Sequence, residues 1–310
     1  MANTLPTNTH GVSAANYETV ESVYGAIEKI GKQVIRSAIN DESNPLNIFE
    51  KGGIDNGVTV EQLIVKLVEG QAWDKSGSTT LDKRAVEYAV RYFQELTETQ
   101  FSTTVQKSEI KKVLTNASSV EDVAGRMVGI LAASENYDKY EKLKKLLADE
   151  ASTNEVGTEN AKLDVGDGKA ILKMADVATP EEALTAIKNI VKGFKFVSNK
   201  YNRAGIKRGT YADNIVIVMP YTVRNKIDIE VLAGVFNLSK AEMEARIVET
   251  DAEDGEIYIL DKDLVVCYTK DYDMTTELNG QGRFMNYFLT VERLYGCSPL
   301  FNGVHFKATF

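Results

Sequence analysis

Two histidines are all that this chain of 310 residues contains. Histidine is the side chain most often recruited as a general base or as the activator of a nucleophile. Here His10 falls in a polar opening stretch and His305 in an alternating, strand-like tail, and neither has a recognisable catalytic setting. The motifs GxSxG, HExxH, the Walker loop and GxGxxG are also missing, so the common hydrolase, metalloprotease and nucleotide-binding signatures are excluded. The expectation is a chain that is not an enzyme and holds no cofactor and no metal.

Cysteine is equally scarce. Cys267 and Cys297 lie in separate apolar segments without CxxC spacing. They read as buried free thiols suited to a reducing compartment, not as a disulfide or a metal site. Long apolar runs are absent too: residues 214–220 and 264–268 fall far short of the roughly 20 residues that cross a bilayer. The opening MANTLPTNTHGVSAANYE has no basic cluster and no apolar segment ending in small residues, so no secretory signal is read and folding in the cytoplasm is expected. Basic residues are in deficit, 36 against 45 acidic, a formal charge of −9 that opposes tight binding to polyphosphate by the protein as a whole. Local basic runs at Lys142, Lys144 and Lys145 and from Lys195 to Lys207 read as solvated faces.

What the chain does have is 43% hydrophobic and 26% charged residues, enough for one large or two modest domains with a sizeable core. Residues 1–16 read as a polar arm. A helix is expected over 17–39 from the three- and four-residue spacing of Val20, Val23, Ile27, Ile30 and Val34. The Pro, Gly, Asn and Asp content of 40–57 reads as a connection. Residues 58–106 hold two β-branched and aromatic runs around the tip DKSGSTTLDK, as a two-stranded projection would. The residues also allow a helix over 58–68, because Thr59 and Gln62 form a capping box ahead of Leu63, Ile64 and Leu67.

A helix is expected from about 119 to 133, capped by Ser118 with Glu121, then an interruption at Asn136 and a second helical run to about 151. Residues 169–177 read as a short strand. Thr179, Pro180, Glu181 and Glu182 supply a cap, a first-turn proline and first-turn acids for a helix running to about Asn199. NIVIVMP reads as a strand buried on both faces, IDIEVLAGVFN and KAEMEAR as short helices, and ARIVETD, EIYILDKD and LVVCYTKD as strands. Aspartates 251, 254, 261, 263, 271 and 273 sit at strand ends, where turn chemistry favours Asp, and their spacing matches no EF-hand loop. Trp73, Tyr88, Tyr92 and Phe93, near the tip, are candidate self-assembly contacts because large aromatics dominate interface energetics. The alternative is a private core, although a thin projection has little core of its own.

From Lys200 onward, KYNRAGIKRGTYADNIVIVMPYTVRNKIDIEVLAGVFNLSKAEMEARIVETD, then EIYILDKDLVVCYTKDYDM and the closing SPLFNGVHF, resemble the C-terminal half of tailed-bacteriophage major capsid proteins with the Hong Kong 97-type fold. Those of small short-tailed phages are the most similar. Upstream, FSTTVQKSEIKKVLTNASSVEDVAGRMVGIL and KYEKLKKLL resemble the same family's entry into its peripheral domain and long helix. The resemblance covers about residues 57–310 and rests on the order of the elements more than on any strict motif.

It implies an α+β fold with an N-terminal arm (1–56) and an extended β-loop (57–106). A peripheral domain with a long spine helix follows (107–204), then an axial domain with a mixed sheet and flanking short helices (205–290) and a C-terminal segment returning to the peripheral domain (291–310). It favours strands over 58–68. The implied function is a shell protein that packs as hexamers and pentamers with copies of itself, encloses double-stranded DNA, meets portal, scaffolding or decoration proteins, and resides in the virion. An encapsulin-like nanocompartment enclosing cargo enzymes is the nearest alternative. A soluble binding module, or an enzyme with an unrecognised carboxylate site, is a remoter one.

Overall fold

The computed structural model describes residues 44–55, 59–68, 70, 75, 86–94, 96–106, 117–157, 168–227, 246–252, 254–282 and 284–310, with side chains described throughout except at 105, 106 and 117–129. The arm of 1–16, the helix expected over 17–39, most of the tip and nearly all of the two short helices expected between 227 and 246 lie outside the described residues.

The centre is a six-stranded mixed sheet in the order β5-β6-β12-β9-β7-β8: Ala151–Glu155, Ile171–Lys173, Gly303–Lys307, Glu256–Asp261, Ile215–Pro220 and Ile247–Thr250. Every residue of β7 is buried, as expected of NIVIVMP. The period-two pleat explains this, because alternate residues serve two cores. Ile215, Ile217 and Met219 join Ile257, Ile259, Val304 and Phe306 on one face. Val216 and Val218 join Tyr258 and Leu260 on the other.

The first face is covered by α2, Pro180–Lys195, through Ala183, Ile187, Ile190, Val191 and Phe194. Its start follows the expected chemistry. Thr179 Oγ1 accepts from the Glu182 backbone N–H at 3.2 Å, and the Glu182 carboxylate accepts from Ala178 N–H at 3.0 Å. The helix stops at Lys195, short of the expected Asn199, and leaves Val197 exposed. The Phe196 N–H turns back to the Gly193 carbonyl, and the ring of Tyr201 lies so close to Gly193 that a Cβ there would collide with it.

The second face is covered by the C-terminal part of α1, Ala117–Asp149, and by a 3-10 turn, Pro45–Phe49. Leu143 and Leu147 of the helix and Leu46 and Phe49 of the turn fill this core. The interruption expected at Asn136 is not there: α1 runs unbroken for 33 residues. Asn136 is buried, and its carbonyl accepts from Asn44 Nδ2 at 3.3 Å, so the residue serves the packing and does not end the helix. The connection expected over 40–57 likewise contains ordered structure, the 3-10 turn followed by β1, Glu50–Gly53.

A second sheet, in the order β1-β10-β11-β4, extends from the same core. Val265–Asn279 (β10) and Phe284–Cys297 (β11) form a long antiparallel hairpin, β4 (Leu96–Gln106) pairs antiparallel with β11, and β1 lies parallel to β10. Cys267 and Cys297 are free, buried thiols in this region. Burial pushes the Cys267 thiol up to about 11 and Cys297 well above its usual value, which leaves both unreactive. The third sheet is two-stranded: β2, Val60–Val65, against β3, Tyr88–Phe93. Strands, not a helix, therefore occupy this part of 58–68. No helix among the described residues is long and apolar enough to cross a membrane.

Candidate assembly surface

The β2–β3 ribbon is built so that its two faces differ. In an antiparallel pair directly opposed residues share a face. Leu63 opposes Val90, Val65 opposes Tyr88 and Glu61 opposes Tyr92 on one side, while Val60 opposes Phe93 and Ile64 opposes Ala89 on the other. The first face is open to solvent, with Tyr88 67% and Tyr92 57% exposed and Leu63 and Val65 similarly bare. Further out, Leu67, Val68 and Val86 are exposed as well. A contiguous apolar strip on a monomer's surface marks an interaction site.

Of the four aromatics singled out in the sequence, Tyr88 and Tyr92 are brought together on this strip. Trp73 lies outside the described residues. Phe93 does not lie on it: it is only 7% exposed and packs on Val266 and Leu294, with its ring against Gly296 where any Cβ would clash. It is one strand position past Tyr92, so the pleat turns it inward, where it fastens the ribbon to the body.

Polar contacts complete that attachment. Gln62 Nε2 donates to the Asp263 carbonyl at 3.2 Å, and Lys51 Nζ pairs with Asp263 Oδ1 at 3.0 Å. Beneath them lies a buried group of charges. Lys139 of α1 pairs with Glu50 of β1 at 2.8 Å, and Glu50 also accepts from Thr269 Oγ1 at 2.9 Å. Arg293 of β11 donates through Nε to that same hydroxyl at 3.1 Å and pairs with Glu135 of α1. Two anions and two cations thus join α1, β1, β10 and β11.

Burial acts to raise the Glu50 carboxyl, but Lys139, Thr269 and Arg293 outweigh it and hold Glu50 below its ordinary value. For Glu135 burial wins over Arg293 and Lys139, and its carboxyl is raised. No composition or period signal exposes such a group, because its members are 50, 135, 139, 269 and 293.

The remaining polar candidates have structural occupations. Asp261, raised by burial, accepts from Thr210 Oγ1 at 2.9 Å and from Asp263 N–H at 3.1 Å. Asp251 accepts from Tyr140 and pairs with Lys144 at 3.1 Å, and Asp254 accepts from Glu256 N–H. His305 Nδ1 lies 3.0 Å from Glu256 Oε2 and Nε2 2.8 Å from the Ser152 carbonyl. Among the described residues no three His, Cys, Asp or Glu side chains gather as a metal site would require.

A long helix across two mixed sheets, with a two-stranded ribbon beside them, places this molecule in the class of proteins with the Hong Kong 97-like fold. A chain of the capsid structure of Staphylococcus phage Andhra superposes with a TM-score of 0.69 at 11% identity, covering 86% of this chain and 84% of that one. The capsid of cyanophage P-SCSP1u gives 0.54 at 13% identity, over 84% and 86%. The chain belongs to the family described as Phi29-like phage major capsid protein, whose model matches residues 3–307. The major capsid protein of Bacillus phage GA-1 is 24% identical over 313 residues, covering 99% of this chain, and that of Bacillus phage PZA is 22% identical over 305 residues, covering 93%. The chain spans 65% and 64% of the length of these two relatives.

Proposed function

We propose that this chain is a shell subunit, associating with copies of itself as hexamers and pentamers into the icosahedral head that encloses a phage's double-stranded DNA. The observation that carries the reading is the bare apolar face of the β2–β3 ribbon: a two-stranded sheet with Leu63, Val65, Tyr88 and Tyr92 in water is marginal alone and completes its burial against a neighbour. Trp73, further along the same loop, is proposed as a third aromatic anchor. A shell made from one chain uses heterologous contacts whose rotations close into rings, and each subunit gains from being held by several neighbours at once.

In this reading residues 1–56 form the arm, 57–106 the extended loop, 107–204 the peripheral domain with α1 as its spine, 205–290 the axial domain and 291–310 the returning segment. The work is association and not catalysis. Assembly takes place in the host cytoplasm, with portal, scaffolding and decoration proteins as further partners, and the product resides in the virion. Family membership and the Hong Kong 97-like fold support this reading.

The test is negative-stain electron microscopy and size-exclusion chromatography of the purified chain, with and without the scaffolding and portal proteins of its own genome. Closed shells or their rings are expected. A chain that stays solitary at high concentration in every mixture overturns the reading.

A further inference from the structure

In a chain whose net charge is −9, the stretch between Glu182 and Asp213 contains no acidic residue. It carries five lysines, Lys188, Lys192, Lys195, Lys200 and Lys207, together with Arg203 and Arg208. The fold turns most of this run into one surface. Ala183, Ile187, Ile190, Val191 and Phe194 face the sheet, which leaves Lys188, Lys192 and Lys195 on the outward side of α2, about 6 Å and 4.5 Å apart along its axis. The chain then continues into a short ribbon, closed by reciprocal Ser198 and Arg208 backbone bonds of 3.1 Å and by Thr210 N–H to the Phe194 carbonyl at 2.7 Å. This ribbon presents Lys200 and the 83%-exposed ring of Tyr211.

The two arginines have other work. Arg203 is fully buried, and Arg208 is held by the Leu300 carbonyl, Asp261 and the Phe301 ring. Several exposed and half-exposed lysines elsewhere are matched with acids: Lys66 with Glu87, Lys142 with Asp138, Lys144 with Glu141, Lys173 with Asp176. Among the described residues Lys188, Lys192, Lys195 and Lys200 make no ion pair with any of the acids.

We infer that this outward surface of α2 and its following ribbon is a contact surface for the phosphate backbone of double-stranded DNA, an inference that rests on the reading of the chain as a DNA-enclosing shell subunit. The choice of partner follows from the residue types. Cores of protein interfaces are depleted of lysine, so four unmatched lysines argue against a dry contact with a second copy. Lysine is a flexible point charge suited to phosphate, and a tyrosine hydroxyl donates to phosphate as well. Four such contacts against an overall negative chain give weak, sequence-independent binding per copy. Summed over a shell, they line the genome without fixing it in place.

The experiment is fluorescence anisotropy of a short DNA duplex titrated with unassembled full-length chain between 50 and 200 mM salt, beside electron microscopy of particles. With four phosphates engaged, the slope of log affinity against log salt is expected near −3.6, about a hundredfold loss across this range. The triple variant K192Q/K195Q/K200Q is expected to flatten the slope by about three while keeping wild-type circular dichroism and particle yield, and K192R/K195R/K200R is expected to retain it. Three results overturn the inference: equal slopes in wild type and the Gln variant; tighter binding to a single strand of the same length; or loss of particles in the Gln variant with duplex binding unchanged, which makes the surface a contact between copies. Shells that form but bind DNA independently of these lysines sink this inference alone. A solitary chain whose duplex binding depends on them sinks the shell reading instead.

Discussion

At the scale of single residues, the buried Glu50–Lys139–Thr269–Arg293–Glu135 group is where a small change has the largest expected effect. The Lys139 ammonium has 3% of its side chain exposed and depends on Glu50 for its counter-charge. Removing one partner of such a pair leaves the other charge uncompensated, so Glu50→Gln is expected to destabilise the subunit by about 3 kcal/mol at neutral pH. The sign of the pH dependence follows from Glu50's lowered carboxyl. A depressed acid contributes stability that is present above its unfolded value of about 4.5 and is lost as pH falls through the lower folded value. Urea unfolding of wild type and E50Q should therefore differ most above pH 4.5 and converge below it. A constant difference across that window would mean that the pair contributes through shape alone. Glu135 works the opposite way: its raised carboxyl favours the fold below its unfolded value and loses that contribution as pH rises. The Glu50 effect is thus best read as a difference between variants and not as an absolute profile.

At the scale of elements, the ribbon's two faces separate assembly from folding. Leu63→Glu with Tyr88→Glu changes only exposed side chains, and should leave the unfolding midpoint of the subunit nearly unchanged while cutting particle yield at least tenfold by electron microscopy. Phe93→Ala should do the reverse first, costing about 3 kcal/mol of subunit stability by emptying the site between Val266, Leu294 and Gly296. Unaltered particles from the double Glu variant would remove this face from the assembly surface.

Elements with local signals were legible in the sequence. Thr179 and Glu182 announce the start of α2, and the unbroken apolar run of β7 announces burial on both sides. Signals that depend on distant partners were not. Asn136 looks like a helix breaker until Asn44 is beside it. The short β1 reads as part of a connection because its partner, β10, lies more than 200 residues away in sequence. Phe93 and Tyr92 look alike in sequence, and only the register against Val60 and Glu61 tells which one faces inward.

At the scale of the whole molecule, one core serves both large sheets. Val265, Cys267 and Cys297 from the hairpin sheet, with Leu264 of the turn that leads into it, share a cluster with Ile171, Val216 and Leu260 from the six-stranded sheet and with Leu143 and Leu147 of α1. The two sheets should therefore lose structure together. Chemical unfolding of the unassembled subunit is expected as a single transition, coincident by circular dichroism and tyrosine fluorescence. Two separated transitions would mean that the sheets are independent units. The unbroken course of α1 has a mechanical consequence. Its ion pairs to the sheet sit at Glu135 and Lys139, and 18 residues at 1.5 Å each place Ala117 about 27 Å beyond that fulcrum. Such a rod is a lever: rocking it by ~5° at the clamp swings the far end by ~2 Å, about the size of step by which packed helices shift between alternative seatings.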